Sequence, residues 1–180
     1  GKLALLCCYR SLYQTYGAKP DVIRALKEKD PRLSRLITVQ LEEPLEEDRL
    51  KKDIPVFGAF ANQISQAVRN QYEENPYPRW ISIPTVPLPN DDLIVSADKR
   101  DLPFEVLVAG CGTGRQAIAA AARFPKGKIT AIDLSRASIA YGMRKARECG
   151  LAERIRFVHA DILSMKDWDG TFDMIECSGV

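Results

Sequence analysis

Between Val106 and Gly114 the chain reads Val-Leu-Val-Ala-Gly-Cys-Gly-Thr-Gly, an apolar run that ends in three alternating glycines. Glycines after a strand let the backbone turn tightly and let a ligand approach main-chain atoms. A helix opening just beyond them offers free N–H groups and a positive dipole end, suited to a carboxylate or a phosphate. Gly110, Cys111, Gly112, Thr113 and Gly114 are therefore candidate ligand-binding residues. Their spacing narrows the ligand. A dinucleotide fingerprint, G-x-G-x-x-G, needs glycine at 115, where Arg115 stands, and this disfavours a nicotinamide or flavin cofactor or a nucleotide-sugar enzyme. No G-x-x-x-x-G-K-[ST] occurs, so a phosphate-loop nucleotidase is excluded.

Two carboxylates follow at strand-like ends. Asp133 comes 19 residues after Gly114, at the end of Lys128–Ile132. It can accept hydrogen bonds from a ribose diol or help cap the helix that starts at Ser135. Asp161 follows Ile155–His159; it can accept from an exocyclic amine while Ile162 flanks a ring, or it is a surface-loop carboxylate. Phe172–Cys177 then reads as a buried strand ending in the small residues Ser178 and Gly179. Signals at the carboxyl ends of consecutive strands mark the edge where open α/β sheets bind ligands.

The elements that must position these residues are legible in outline. Glu105–Ala109, Lys128–Ile132, Ile155–His159 and Phe172–Cys177 are short apolar runs. Helical patterns at Gly112–Phe124 and Ser135–Cys149 separate the first three, with Ser135 as N-cap and Gly150 at a C-terminal end. Such alternation predicts an α/β fold with a parallel sheet and crossover helices over residues 103–180. Residues 1–75 read as helical. Leu3 to Tyr13 recur at helical spacing, Gly17 and Pro20 stop that segment, and Asp21 caps a second. Pro31 opens a third helix to about Leu41, and a fourth runs from about Asn62 to Glu74. The acidic run from Glu42 to Asp48 reads as a solvated surface segment. Residues 76–102 form a Pro-rich connector, with five of the 11 prolines between 76 and 89, and the aromatic residues Tyr72, Tyr77 and Trp80 at and just before its start need something to cover.

Composition sets the outer bounds. The 180 residues are 46% hydrophobic and 28% charged, which fits a globular domain with an appendage rather than a disordered or fibrous chain. Lys plus Arg number 26 against 24 Asp plus Glu, and no basic stripe marks a nucleic-acid binder. No apolar run is long enough to span a bilayer, and Arg10 interrupts Leu3–Cys8, so neither a membrane anchor nor a signal peptide is expected. Gly1 in place of an initiator Met suggests a processed or cut chain. Five cysteines, no C-x-x-C and the single His159 allow no zinc site of usual spacing, and reduced thiols in the cytoplasm are expected. His159 is expected to be structural rather than a base, and Cys111 a small packing residue.

Taken in order, VLVAGCGTG, AIDLS, ADIL and FDMIECSGV resemble the successive motifs of class I S-adenosylmethionine-dependent methyltransferases over residues 103–180. Gln71–Trp80 (QYEENPYPRW) is similar to the segment that precedes this domain in bacterial tetratricopeptide-repeat methyltransferases, which makes residues 1–100 a helical connector. The resemblance implies S-adenosylmethionine as cofactor and methyl transfer as activity, with no metal. It assigns the glycine turn to the methionine part and Asp133 to the ribose. Leu134 and Ile162 would pack on the adenine, Asp161 would face its amine, Ser178 and Gly179 would lie near the sulfonium, and Tyr72 and Tyr77 would lid the pocket or merely pack. Many members carry an acidic residue where this chain has Val108, so another group must hold the cofactor's amino end. The family fold has seven strands and this sequence stops after the fourth, so an incomplete Rossmann-like sheet is implied. Its last strand would be an exposed apolar edge inviting self-association, a second chain or cover by the N-terminal helices. The methyl acceptor, protein or small molecule, is left open, as is activity of the chain alone. The competing reading is a non-catalytic module that keeps the half-sheet and docks a partner.

Overall fold

The computed structural model describes residues 2–7, 9–17, 19–58, 60, 70–74, 76–82, 103–165, 168, 172–178 and 180. The chain divides into two compact units, Gly1–Lys52 and Asp53–Val180. The boundary expected near residue 75 thus falls inside the second unit.

The first unit is helical. It contains α1 (Lys2–Cys7), α2 (Leu12–Tyr16), α3 (Pro20–Lys29) and α4 (Ser34–Ile37), which continues through a π turn (Thr38–Glu42) into α5 (Glu43–Asp53). The expected single repeat from Leu3 to Tyr13 is broken, because Ser11 is extended (φ −64°, ψ 128°) and its hydroxyl caps α2 by accepting from Gln14 N–H. Leu12, Ile23, Ile37 and Leu41 form the buried cluster. The third helix does not end at Leu41. The π turn ends just before Pro44, whose missing N–H and ring would disturb an uninterrupted α-helix.

The acidic run is part of this helix and not a solvated segment. Glu47 is 5% exposed, and none of residues 42–48 is fully exposed. Glu42 accepts from Lys27 Nζ at 2.6 Å and from Thr38 Oγ1 at 2.7 Å. Asp48 accepts from Lys51 Nζ at 3.1 Å and from the Tyr13 phenol.

That hydrogen bond, with burial and the Asp48 charge adding to it, pushes the Tyr13 phenol up to about 12. A folded value above the unfolded value of about 10 gives stability that is full below pH ~10 and lost as pH rises toward ~12. Phenolate absorbance of the native chain should therefore include one late-titrating group. Tyr13→Phe should remove that late step and the loss of helical signal that accompanies it.

In the second unit, five parallel strands lie in the order β1-β4-β3-β2-β5. They are β1 (Val56–Phe57), β2 (Phe104–Ala109), β3 (Gly127–Asp133), β4 (Ile155–Ala160) and β5 (Met174–Cys177). α6 (Arg115–Arg123) links β2 to β3, and α7 (Arg136–Glu148) links β3 to β4. The expected parallel α/β sheet is therefore present, with one more strand than expected. β1 is only two residues long and holds the β4 edge, where His159 N–H donates to the Pro55 carbonyl at 2.9 Å.

Alternation divides the core between the two faces. Leu107, Ala109, Ile132, Val158 and Ala160 share one face with Phe57, Ile162, Met165, Trp168 and Phe172. Val106, Val108 and Ala131, all fully buried, point to the other. β5 begins two residues later than expected. Phe172 packs on the core cluster, and Asp173 exchanges two hydrogen bonds with the backbone of Glu105. Among the described residues β5 pairs only with β2, and its Ile175 is 63% exposed. The helix expected over 62–74 is seen at residues 70–74; residues 61–69, like 83–102 of the Pro-rich connector, lie outside the described residues. No helix among the described residues is long and apolar enough to cross a membrane.

Candidate cofactor site

Register brings the chemistry to one edge of the sheet. Ala109 is level with Ile132 and Cys177, and Asp133 with His159, so the residues that follow each strand emerge together at the carboxyl edge. The turn after β2 carries three glycines at positive φ: Gly110 (68°), Gly112 (51°) and Gly114 (80°). L-residues enter this region at a cost of roughly 1–2 kcal/mol each, which is why the position of each glycine is fixed. The turn is anchored by Cys111 N–H donating to the Ile132 carbonyl at 2.8 Å and by Gly114 N–H donating to the Cys111 carbonyl at 2.9 Å. A Cβ at Gly112 would meet nothing within 4 Å, whereas one at Gly114 would lie 2.8 Å from the Cα of Gly142. The turn therefore has an open side at Gly112 and a side at Gly114 pressed onto α7. Gly110 is covered by Val180, whose Cγ2 a Cβ there would meet.

Asp133 closes the turn from β3. Its Oδ2 accepts from Gly112 N–H at 2.7 Å and its Oδ1 from Ser135 N–H at 2.8 Å. Both sequence-derived roles thus concern one carboxylate, which holds the start of α7 and keeps an acceptor direction on each oxygen. Burial raises its pKa above the ordinary carboxylate value, the N–H donors of Ser135, Gly112 and Leu134 oppose that rise, and the Glu73 charge adds to it. Burial, then the Asp133 charge, pushes the Cys111 thiol well up, so Cys111 is an un-ionised packing group as expected.

The remaining candidates divide. Asp161 is 3% exposed, which rules out a surface-loop carboxylate; its Oδ1 accepts from Leu163 N–H at 2.9 Å and caps a 3₁₀ turn. Ile162 is half-buried and packs on the core cluster. Leu134 is half-buried, and its carbonyl is held by Nε2 of His159 at 2.9 Å, while the imidazole stacks on Phe60 at 4.3 Å. His159 is thus structural. Ser178 follows β5 and is exposed; Gly179 lies outside the described residues. Tyr72 and Tyr77 are 38% and 73% exposed.

Sequence reasoning missed the residues that tie the 70–82 segment to this edge. Glu73 Oε2 accepts from Ala137 N–H at 3.1 Å and from the Ser135 hydroxyl at 3.2 Å, which also faces the Tyr72 carbonyl at 3.1 Å. Ser135 in turn caps α7, accepting from Ser138 N–H at 3.0 Å, as expected. Trp80, 9% exposed, donates from Nε1 to the Thr113 carbonyl at 3.1 Å, and Thr113 Oγ1 donates to the Pro78 carbonyl at 2.7 Å. Gly142 was also missed. A glycine inside a helix of otherwise good formers was its signal, since it costs about 1 kcal/mol there without a packing reason. No metal-ligand cluster exists among the described residues, and Cys111, Cys149 and Cys177 are free thiols.

Comparison with known proteins gives this arrangement its class. The methyltransferase-domain family matches residues 106–180. The chain is 30% identical over 138 residues to the uncharacterized protein syc1184_c of Synechococcus, covering 69% of this chain and 32% of that one. It is 41% identical over 81 residues to the release factor glutamine methyltransferase of Chlorobaculum tepidum, covering 43% of this chain and 27% of that protein. A solved structure described as converting a disulfide bond into a thioacetal group during echinomycin biosynthesis is 30% identical, with a TM-score of 0.45 over 66% of this chain and 48% of that one. Residues 106–180 thus match the methyltransferase-domain family, carried here on a parallel α/β sheet. The chain spans about a third of the length of the curated relatives it matches, 32% and 27% of these two.

Proposed function

We propose that the protein transfers a methyl group from S-adenosylmethionine to an acceptor, and that the carboxyl edge described above holds the cofactor. The observation that carries this reading is the Asp133 carboxylate bonded to Gly112 N–H at 2.7 Å, beside a glycine turn whose Gly112 side is open. A vicinal diol needs an anionic acceptor beside a backbone it can approach closely, and these residues fit it. In this reading Gly110 to Gly114 lie under the methionine part, Asp133 takes the ribose hydroxyls, Leu134 and Ile162 flank the adenine, and Asp161 faces its amine from the next strand. Ser178 and Gly179 border the sulfonium, and Tyr72 and Tyr77 border the mouth. Fully buried Val108 leaves no carboxylate at the carboxyl end of β2 for the cofactor's amino end. The bound cofactor would supply the activated methyl carbon; the chain's own part is to bind, orient and exclude water.

The acceptor is read as a protein or small molecule. The helical Gly1–Lys52 unit and the 70–82 segment support reading residues 1–100 as the connector of a bacterial tetratricopeptide-repeat-associated methyltransferase, and the free thiols support a cytoplasmic setting.

Calorimetric titration of the purified chain tests the cofactor reading. Saturable binding of S-adenosylmethionine with no binding of NAD is expected. A folded chain that binds NAD, or neither compound, would overturn it.

A further inference from the structure

Residues 76–82 carry no regular structure, yet their attachment is specific. Every hydrogen-bonding group of Trp80 is engaged. Its N–H donates to Tyr141 Oη at 3.1 Å, its carbonyl accepts from the same hydroxyl at 2.7 Å, and its indole Nε1–H donates to the Thr113 carbonyl. Its ring also lies 5.0 Å from the Lys145 ammonium and meets the Tyr141 ring edge-on at 6.1 Å. The partner that matters for the site is Thr113. It stands between Gly112 and Gly114, two of the three positive-φ glycines of the turn. Flanking glycines leave the Thr113 peptide weakly constrained by local sterics. Two bonds from outside the turn fix it: Trp80 Nε1–H on its carbonyl, and its own hydroxyl on the Pro78 carbonyl.

We infer that Trp80 is a positioning residue of the cofactor site. The 76–82 strap brackets Thr113 and so holds the open face of the glycine turn in the shape that receives the ligand. The inference rests on the cofactor reading above and extends it to a residue 33 positions before Thr113. A purely packing tryptophan would act on stability alone and would be replaceable by phenylalanine. A bracketing one requires the N–H.

The test is S-adenosylhomocysteine binding by calorimetry on the full chain and its variants, with circular dichroism confirming folding. Trp80→Phe, which leaves the Thr113 carbonyl without its donor, should weaken binding about tenfold. Thr113→Val should do the same. Thr113→Ser, which restores the hydroxyl donor to Pro78, should bind within about twofold of the parent. Because both residues act on one peptide, the double variant Trp80→Phe/Thr113→Val should be little worse than either single change. Folded Trp80→Phe and Thr113→Val proteins that bind as the parent does would overturn the inference while leaving the cofactor reading intact. Equal losses for Thr113→Ser and Thr113→Val would overturn it too. If Trp80→Phe does not fold, the two Thr113 variants decide. A parent chain that binds neither S-adenosylhomocysteine nor S-adenosylmethionine would remove the cofactor reading and this inference together.

Discussion

Asp133→Ala should take away most of the chain's affinity for the cofactor, and it should also lower stability. The first effect follows from losing a charged acceptor for the ribose, about 1.5–3 kcal/mol or ten- to a hundredfold in affinity. The second follows from what the carboxylate already does in the free chain. Gly112 N–H and Ser135 N–H both end on it, and alanine orphans both. Each unpaired N–H costs about 1–3 kcal/mol where water cannot replace the partner. The side chain is half-buried, and burial already penalises its charged form, so removing it returns part of that loss. A net destabilisation of about 2 kcal/mol is the expected balance. Asp133→Asn separates the effects: one acceptor oxygen remains, so stability should fall less while ribose binding still suffers. Thermal unfolding and calorimetry on the two variants check this. An Asp133→Ala protein that binds S-adenosylmethionine as the parent does would remove the ribose assignment.

The site was half legible because its two halves are encoded differently. The glycine turn and Asp133 are close in sequence to the strands that carry them, and parallel strands buried on both faces read as continuous apolar runs. The 106–109 and 129–132 segments are such runs. The strap is encoded at long range. Trp80 reaches Thr113 across 33 residues and Tyr141 across 61, and nothing in a Pro-rich segment announces partners so far away. β1 escaped because two residues cannot display a period. The acidic run misled for another reason. Charge patterning assumes that unmatched charges face water, but Glu42 and Asp48 find Lys27 and Tyr13 on other helices of the same unit.

The alternating glycines invite one alanine replacement at each of two positions with opposite outcomes. At Gly114, φ is 80° and a Cβ would sit 2.8 Å from Gly142 Cα, a backbone atom that cannot turn aside. The left-handed strain, roughly 1–2 kcal/mol, adds to an overpacking cost of about 1–3 kcal/mol as α7 is forced off the turn. Gly114→Ala should therefore destabilise by about 3 kcal/mol, a large share of a small domain's total stability. Gly142→Ala should act in the same direction and more weakly, since its Cβ would lie 3.1 Å from Gly114 Cα and its helical φ carries no strain. At Gly112, φ is 51° and the added Cβ meets nothing within 4 Å. Gly112→Ala should cost only the strain, roughly 1–2 kcal/mol, while its methyl projects into the open space beside Asp133. Stability and cofactor affinity should then separate. Gly114→Ala should lose the fold first. Gly112→Ala should stay folded and bind S-adenosylmethionine at least tenfold more weakly, the cost of a backbone approach blocked by one methyl. Chemical denaturation and calorimetry measured on both variants check the pair. A Gly112→Ala protein with unaltered affinity would mean that the ligand does not pass over this turn, whatever Asp133 contributes.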